Sequence, residues 1–110
     1  MLETTIRQIE ETLAGAGNLS EAKRAELLKL LAELKTEVSG LSRTHRESAL
    51  QIADKTRASA DQATGEDSGG PALESAVAEL KTAVDKFEAS HPALVSTVNA
   101  FCNALADLGI

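Results

Sequence analysis

The sequence predicts an all-α protein: an elongated antiparallel helical hairpin or coiled coil with a short N-terminal helix, assembling into a dimeric helical bundle. Ala and Leu dominate the 110-residue chain, which has no Trp or Tyr and only two Phe residues. Ala, Leu, Glu and Lys favour helices, whereas aromatic and β-branched residues favour strands. Apolar residues recur at alternating spacings of four and three, which is typical of helices that pack on other helices. A chain of this length predicts one domain, residues 1–110.

A short apolar seam near the N-terminus predicts the first helix, over about residues 2–14. Glycine and asparagine follow it, and both tolerate the backbone conformation found beyond helix ends. Ser20 then has a side chain suited to capping the next helix, and Glu21 favours its first turn.

The second helix is predicted to be long, over about residues 20–63. Its apolar seam is strong at first and weak beyond Leu41, where Ala and Ser predominate. Gly40 lowers helix stability by roughly 1 kcal/mol relative to Ala, so a bend or a break there stays open. Unbroken, at about 1.5 Å per residue, this helix would be on the order of 65 Å long.

Residues 64–70 are predicted to form a flexible loop, because Gly, Ser and acidic residues dominate them. Pro71 suits the first turn of the helix that follows. Two further helices are predicted, over about residues 71–89 and 92–108.

The junction between these last helices has two interpretations, because Pro92 disfavours helical backbone at His91. The helix either ends near Ala89 and restarts with Ser90 or His91 as its cap, or continues with a kink. The apolar rhythm passes through Pro92 without a skip, which favours nearly collinear segments.

Folding the chain at the predicted loop pairs the second helix with the C-terminal segment in antiparallel fashion. In this register Leu41 faces the region of Leu94. The basic stretch around Lys55 faces an acidic stretch that includes Glu79, and opposite charges favour this pairing. The core and helix interface is predicted to comprise Leu27, Leu31, Leu34, Val38, Leu41, Leu73, Val77, Leu80, Val84, Phe87, Leu94, Val98, Phe101, Leu105 and Leu108.

The half of this hairpin next to the loop is thinly apolar, and one edge of its seam is expected to be exposed. A second copy would cover that edge. The predicted partner is therefore the chain itself, in a homodimer or higher helical assembly, and an unidentified protein partner is a further hypothesis.

Charge and composition argue against nucleic-acid and membrane partners. The net charge is −6, and even the most basic stretch, residues 41–64, holds only four basic against three acidic residues. An acidic chain repels phosphate backbones. No apolar stretch reaches membrane-spanning length, and no strongly basic amphipathic helix is present. The N-terminus lacks signal-peptide features, so a cytoplasmic location is predicted.

No catalytic constellation or cofactor motif stands out, so neither enzyme activity nor a cofactor is predicted. His45 and His91 are the sharpest candidates for chemistry, because the antiparallel register makes them neighbours. A helix cap and a polar seam position explain them better than metal binding does, since no Cys or carboxylate lies at ligand spacing beside them. A pH-sensitive contact is the more favoured functional interpretation. Cys102 is interpreted as a small buried apolar residue.

The stretch Phe87-Glu88-Ala89-Ser90-His91-Pro92, together with the terminal Leu108-Gly109-Ile110, resembles a bacterial pattern. It is similar to the small helical proteins grouped as domain-of-unknown-function family 4404, with the best match over about residues 73–110. The resemblance implies a small bacterial cytosolic helical protein and carries no assigned activity or catalytic residue.

The leading hypothesis is a non-enzymatic, self-associating protein–protein interaction module. The alternative is a small ligand-, metal- or pH-responsive regulator that uses His45 and His91.

Overall fold

In the computed structural model, residues 2–17, 19–64 and 70–108 are described, and they form five α-helices and no strand. The all-α class is therefore confirmed. The longest principal extent is 37 Å and the other two are 24 and 21 Å, so the fold is a compact bundle and not the elongated hairpin predicted. The helices are α1 (Leu2–Gly15), α2 (Glu21–Ser42), α3 (Arg46–Thr64), α4 (Gly70–Asp85) and α5 (Pro92–Leu108).

The predicted second helix, over residues 20–63, is divided into α2 and α3. Helix α2 continues through Gly40 and ends at Ser42. The N–H of His45 donates to the carbonyl of Leu41 at 2.8 Å and closes the last turn of α2. The extension of the second helix to residue 63 is therefore wrong, and the break that was left open at Gly40 occurs just after it, beyond Ser42. A helix of about 65 Å also exceeds the 37 Å longest extent of the molecule.

The start of α2 is fixed by two polar side chains. The Ser20 hydroxyl accepts a hydrogen bond from the N–H of Lys23 at 3.1 Å, which confirms the predicted cap. The Arg24 guanidinium donates to the carbonyls of Leu13 and Ala16 at 3.4 and 2.6 Å. Carbonyls at a helix C-terminus lack partners within the helix, so Arg24 satisfies the end of α1 and ties it to α2.

Helix α3 contacts all four other helices. Helix α1 packs on α2 and α3, α2 also packs on α5, and α4 packs on α3 and α5. The Lys55–Glu79 ion pair joins α3 to α4 at 3.5 Å, which is a contact that the charge pattern predicted. The Lys23–Asp107 pair joins α2 to α5 at 3.5 Å.

The large apolar side chains of α1, α2, α4 and α5 fill one core. Val77 is half-buried and packs against it. The side chain of Leu108 and residues 65–69 of the predicted loop lie outside the described residues. The predicted core residues that are buried are Leu27, Leu31, Leu34, Val38, Leu41, Leu73, Leu80, Val84, Phe87, Leu94, Val98, Phe101 and Leu105.

The buried face of α3 consists of small side chains, apart from one isoleucine. The hydroxyls of Thr56 and Ser59 donate to the carbonyls of Ile52 and Lys55 at 2.7 and 2.9 Å, so burial leaves neither hydroxyl unpaired. Small side chains let neighbouring helices approach closely. The buried residues of α3 are Ala49, Ile52, Ala53, Thr56, Ser59, Ala60 and Ala63.

This arrangement covers the surface from which self-association was predicted. The thinly apolar stretch, expected to form a stalk with an exposed edge, is the central helix of the bundle. Its small-residue face is enclosed by the other helices of the same chain. A second copy is therefore not needed to bury the seam in the described part of the chain.

The chain breaks between α4 and α5, so of the two interpretations the break is correct and the kink is wrong. Helix α4 ends at Asp85, earlier than predicted, and α5 begins at Pro92. The carbonyl of His91 accepts from the N–H groups of Leu94 and Val95 at 3.1 and 3.4 Å. His91 thus caps α5 through its backbone, and Pro92 takes the first helical position, which suits its fixed φ.

Candidate functional site

His45 and His91 occupy equivalent places in the fold. Each immediately precedes a helix, α3 or α5. The backbone carbonyl of each accepts a hydrogen bond from the first turn of its helix, at 2.9 Å for His45 and at 3.1 and 3.4 Å for His91. Each also follows a hydroxyl residue, Thr44 in one case and Ser90 in the other. Two similar helix starts therefore carry the two histidines of the chain.

The two histidine rings meet at the surface beside Phe87. The ring centroids of His45 and His91 are 6.4 Å apart, and those of His45 and Phe87 are 5.1 Å apart. The centroid of Phe87 is 6.0 Å from that of His91. Phe87 is buried, His91 is half-buried and His45 is exposed. The proximity expected from the antiparallel register is therefore present, and Phe87 forms its buried base.

We refer to Thr44, His45, Phe87, Ser90 and His91 as the histidine corner. The Thr44 hydroxyl lies 2.8 Å from Nδ1 of His45. The Ser90 hydroxyl lies 3.0 Å from Nδ1 of His91. In both cases the hydroxyl of the preceding residue therefore engages the same ring nitrogen.

The hydrogen bonds of Thr44 are compatible with a proton on Nδ1 of His45. The Thr44 hydroxyl donates to the carbonyl of Leu41 at 3.4 Å, so its lone pair is available to accept from Nδ1–H of His45. A neutral imidazole with a proton on Nδ1 has an unprotonated Nε2. Within the described residues no hydrogen bond reaches Nε2 of His45 or of His91.

The surroundings of the histidine corner supply few further ligands. The Lys86 ammonium lies 5.3 Å from the centroid of the Phe87 ring. Over residues 2–17, 19–64 and 70–108, no group of three His, Cys, Asp or Glu side chains is placed to hold a metal ion. The chemistry that the corner offers is therefore that of two imidazoles and two hydroxyls.

Cys102 lies in the core, as its sequence position predicted. Its side chain is fully buried in α5. Burial raises the pKa of the Cys102 thiol to about 11, and the Lys81 ammonium opposes that rise. A thiol with this pKa is about one part in ten thousand thiolate at pH 7, so nucleophilic chemistry at Cys102 is strongly disfavoured.

The outer face of α5 has almost no charge. Asp107 is the single charged residue of this 17-residue helix, in a chain of which 25% is charged. Beside this face an open groove separates α5 from α2, and Leu30, Ala100 and Ala104 are among the residues that line it. The exposed uncharged residues that follow Pro92 on α5, which we call the neutral face, are Ala93, Ser96, Asn99, Ala100, Asn103 and Ala106.

Sequence reasoning found the two histidines but missed their hydroxyl partners and the base formed by Phe87. A signal was present, because the dipeptides Thr44-His45 and Ser90-His91 both pair a hydroxyl residue with a histidine. Phe87 was predicted as a residue of the apolar seam. Its ring is part of the buried core and also contacts the rings of His45 and His91.

The fold and this site define a small all-α protein with two histidine-led helix starts on one surface. The family model described as Domain of unknown function (DUF4404) matches residues 2–110. The chain belongs to this family, and the resemblance seen over residues 73–110 extends to nearly the whole sequence. Searches among curated proteins and among solved structures gave no match. None of the helices in the described ranges is long and apolar enough to cross a membrane.

Proposed function

We propose that this protein is a non-enzymatic helical interaction module whose first partner is a second copy of itself. The observation that carries the proposal is the neutral face of α5. Side chains there are short and uncharged, so an opposing helix would approach closely and bury few solvated groups. The proposed location is the cytoplasm, because the lone cysteine, Cys102, is a free buried thiol.

Charge favours this face over the others for self-association. The chain carries a net charge of −6, and like charges on two approaching copies repel one another. Helices α1 and α2 expose acidic residues, among them Glu10 and Glu33. On α5 the exposed stretch from Pro92 to Ala106 has no charge, so repulsion between two copies is smallest when these faces meet.

A symmetric pairing also suits the shape of the neutral face. In a two-fold dimer the same patch is used on both copies, so the patch must be complementary to itself. A neutral helix face meets this requirement without needing opposite charges at matched positions. Next to the face, the groove between α2 and α5 has apolar surface at Leu30 and is otherwise lined on the α2 side by charged side chains.

The test is the oligomeric state of the full chain across concentration. Sedimentation equilibrium from about 1 to 200 μM is expected to show a dimer at the upper end, because weak interfaces have micromolar dissociation constants. The variant Ala100→Glu places two like charges at the symmetric interface and is expected to shift the equilibrium to monomer. The matched control is Ala58→Glu, which makes the same change at an exposed position of α3.

A wild-type chain that stays monomeric throughout this range would overturn the self-association. Equal dissociation by Ala58→Glu and Ala100→Glu would overturn the assignment of the face, since a mere change in net charge would then explain the effect.

A second candidate function is a small regulator that responds through His45 and His91. The observation that favours it is that the two rings lie 6.4 Å apart at the surface. Capping two separate helices does not require the two histidine side chains to be close together. A regulator is expected to change its oligomeric state or its partner binding when the histidine corner is occupied or titrated. Sedimentation of the wild type and of the double variant His45→Gln/His91→Gln, each with and without NiCl₂, measures this response.

A further inference from the structure

We propose that the histidine corner binds one divalent transition-metal ion of the borderline class, such as Ni²⁺, Cu²⁺ or Zn²⁺, through Nε2 of His45 and Nε2 of His91. Water would complete the coordination sphere, since no third side-chain ligand is placed there in the described part of the chain. The inference deepens the second candidate function by naming its ligand, and it is independent of self-association.

The hydroxyl contacts supply the first part of the argument. Metal-binding histidines usually have their second ring nitrogen engaged by a polar group, which fixes the tautomer and the ring orientation. At the histidine corner Thr44 and Ser90 engage Nδ1 of both rings, at 2.8 and 3.0 Å. The same nitrogen, Nε2, is therefore left for a ligand on each histidine.

The ring separation supplies the second part. An ion about 2.1 Å from each Nε2 lies roughly 3.2 Å from each ring centroid, so two rings sharing it have centroids at most about 6.5 Å apart. The observed separation of the His45 and His91 centroids is 6.4 Å, with the ring planes at 87°, so the two rings as placed would share an ion only at a nearly linear angle. A tetrahedral angle at the ion brings the centroids to about 5 Å. The proposal therefore requires the side chain of His45, which is exposed, to turn toward His91 when the ion binds.

The backbone supplies the third part. Both histidines are held at helix starts because their own carbonyls accept hydrogen bonds from N–H groups of the helices that follow. Phe87 packs edge-on against both rings from the buried side. The two imidazoles are thus brought together before any ion binds, which lowers the entropic cost of binding.

The donor set determines the class of ion. Two neutral imidazoles with water suit borderline ions, whereas Mg²⁺ and Ca²⁺ prefer oxygen ligands. Affinity for divalent ions at nitrogen sites rises from Co²⁺ through Ni²⁺ to Cu²⁺, and Zn²⁺ binds less tightly than Cu²⁺. We expect that order at the histidine corner and no binding of Mg²⁺.

The experiment is calorimetric titration of the full chain with NiCl₂ in a non-coordinating buffer at pH 7.5. One Ni²⁺ per pair of histidines is expected. His45→Gln and His91→Gln should each weaken binding by about tenfold or more, because each removes one of two ligands, and Thr44→Val by about tenfold through loss of the tautomer-fixing contact. Circular dichroism melting without metal shows that each variant is folded.

The control variant is Cys102→Ser, which removes the single thiol of the chain and should leave Ni²⁺ affinity unchanged. Retention of wild-type affinity by either histidine variant would overturn the proposal, because the ion would then use a single imidazole. Absence of Ni²⁺ binding by the wild type would overturn it as well. Neither result bears on the dimer, whose test is made without metal.

Discussion

Helices α2 and α3 are neighbours in the chain and in the fold, but they are buried by opposite means. Helix α2 buries four leucines and a valine, whereas α3 buries four alanines, a serine, a threonine and one isoleucine. Full burial of a leucine side chain contributes about 1.5–3 kcal/mol, and each methyl-sized group about 0.8 kcal/mol. Helix α3 nevertheless lies at the centre and contacts all four other helices.

The difference teaches that a central position depends on side-chain size as much as on hydrophobicity. A helix that touches four others must admit their side chains from several directions. Alanine, serine and threonine leave that space, and the large residues of the neighbouring helices fill it. Helix α2 stabilises the fold through the area it buries, and α3 through the close approach it permits.

The largest expected effect comes from removing volume in α2. Leu34→Ala deletes a fully buried side chain and should lower the free energy of unfolding by about 3 kcal/mol, through lost burial and the cavity left behind. Urea denaturation measures this change. Lys35→Ala, at the exposed neighbouring position, is the control and should change stability by less than about 0.5 kcal/mol. Equal effects at the two positions would contradict the assigned buried face.

Adding volume in α3 tests the other half of the comparison. Ala60→Leu should lower the free energy of unfolding by about 2 kcal/mol, because the fully buried Ala60 leaves no room for added carbons. Ala58→Leu makes the same change at an exposed position of the same helix and should be nearly neutral. Thermal or urea unfolding of both variants gives the comparison. A stabilising Ala60→Leu would show that α3 is loosely packed and would break the contrast with α2.

The smallest effect concerns the ion pair on the surface of α3. A double-mutant cycle with Lys55→Ala and Glu79→Ala should give a coupling of about 0.5 kcal/mol, since both side chains are partly exposed. The coupling should shrink in 1 M NaCl because salt screens exposed charges. A coupling that survived high salt would contradict this prediction, because it would show that the pair is shielded from salt and stabilises the docking of α3 on α4 more than an exposed pair does.

Part of this fold was predictable because its signals are local. The leucines of α2 and the seam of α5 recur at helical spacing, and Ser20 has the side chain of a helix cap. The break at Arg43-Thr44-His45 was not located correctly, because Gly40, where a bend or a break was left open, lies inside α2 and no glycine or proline marks the break itself. The burial of α3 was not predicted, because Ala, Ser and Thr are only weakly hydrophobic and give no strong apolar pattern. Their small size is nevertheless what allows α3 to occupy a crowded position.

The candidate site was predicted in position but not in detail. The proximity of His45 and His91 follows from the register of the chain, which hydrophobic spacing reveals. The contacts of Thr44 and Ser90 depend on side-chain rotation at two turns, which no periodic pattern encodes. The neutral face of α5 was visible as a run without charge, but only the fold shows that these residues are exposed.

The central place of α3 also has a consequence for cooperativity. Among the described helices, α1 contacts only α2 and α3, and α4 contacts only α3 and α5. The bundle therefore consists of two three-helix groups that share α3. Neither group can unfold without removing the helix that completes the other, so the chain should unfold in a single all-or-none step. Amide protons of α3 should exchange with solvent only through that step, and those of α1 through smaller openings as well.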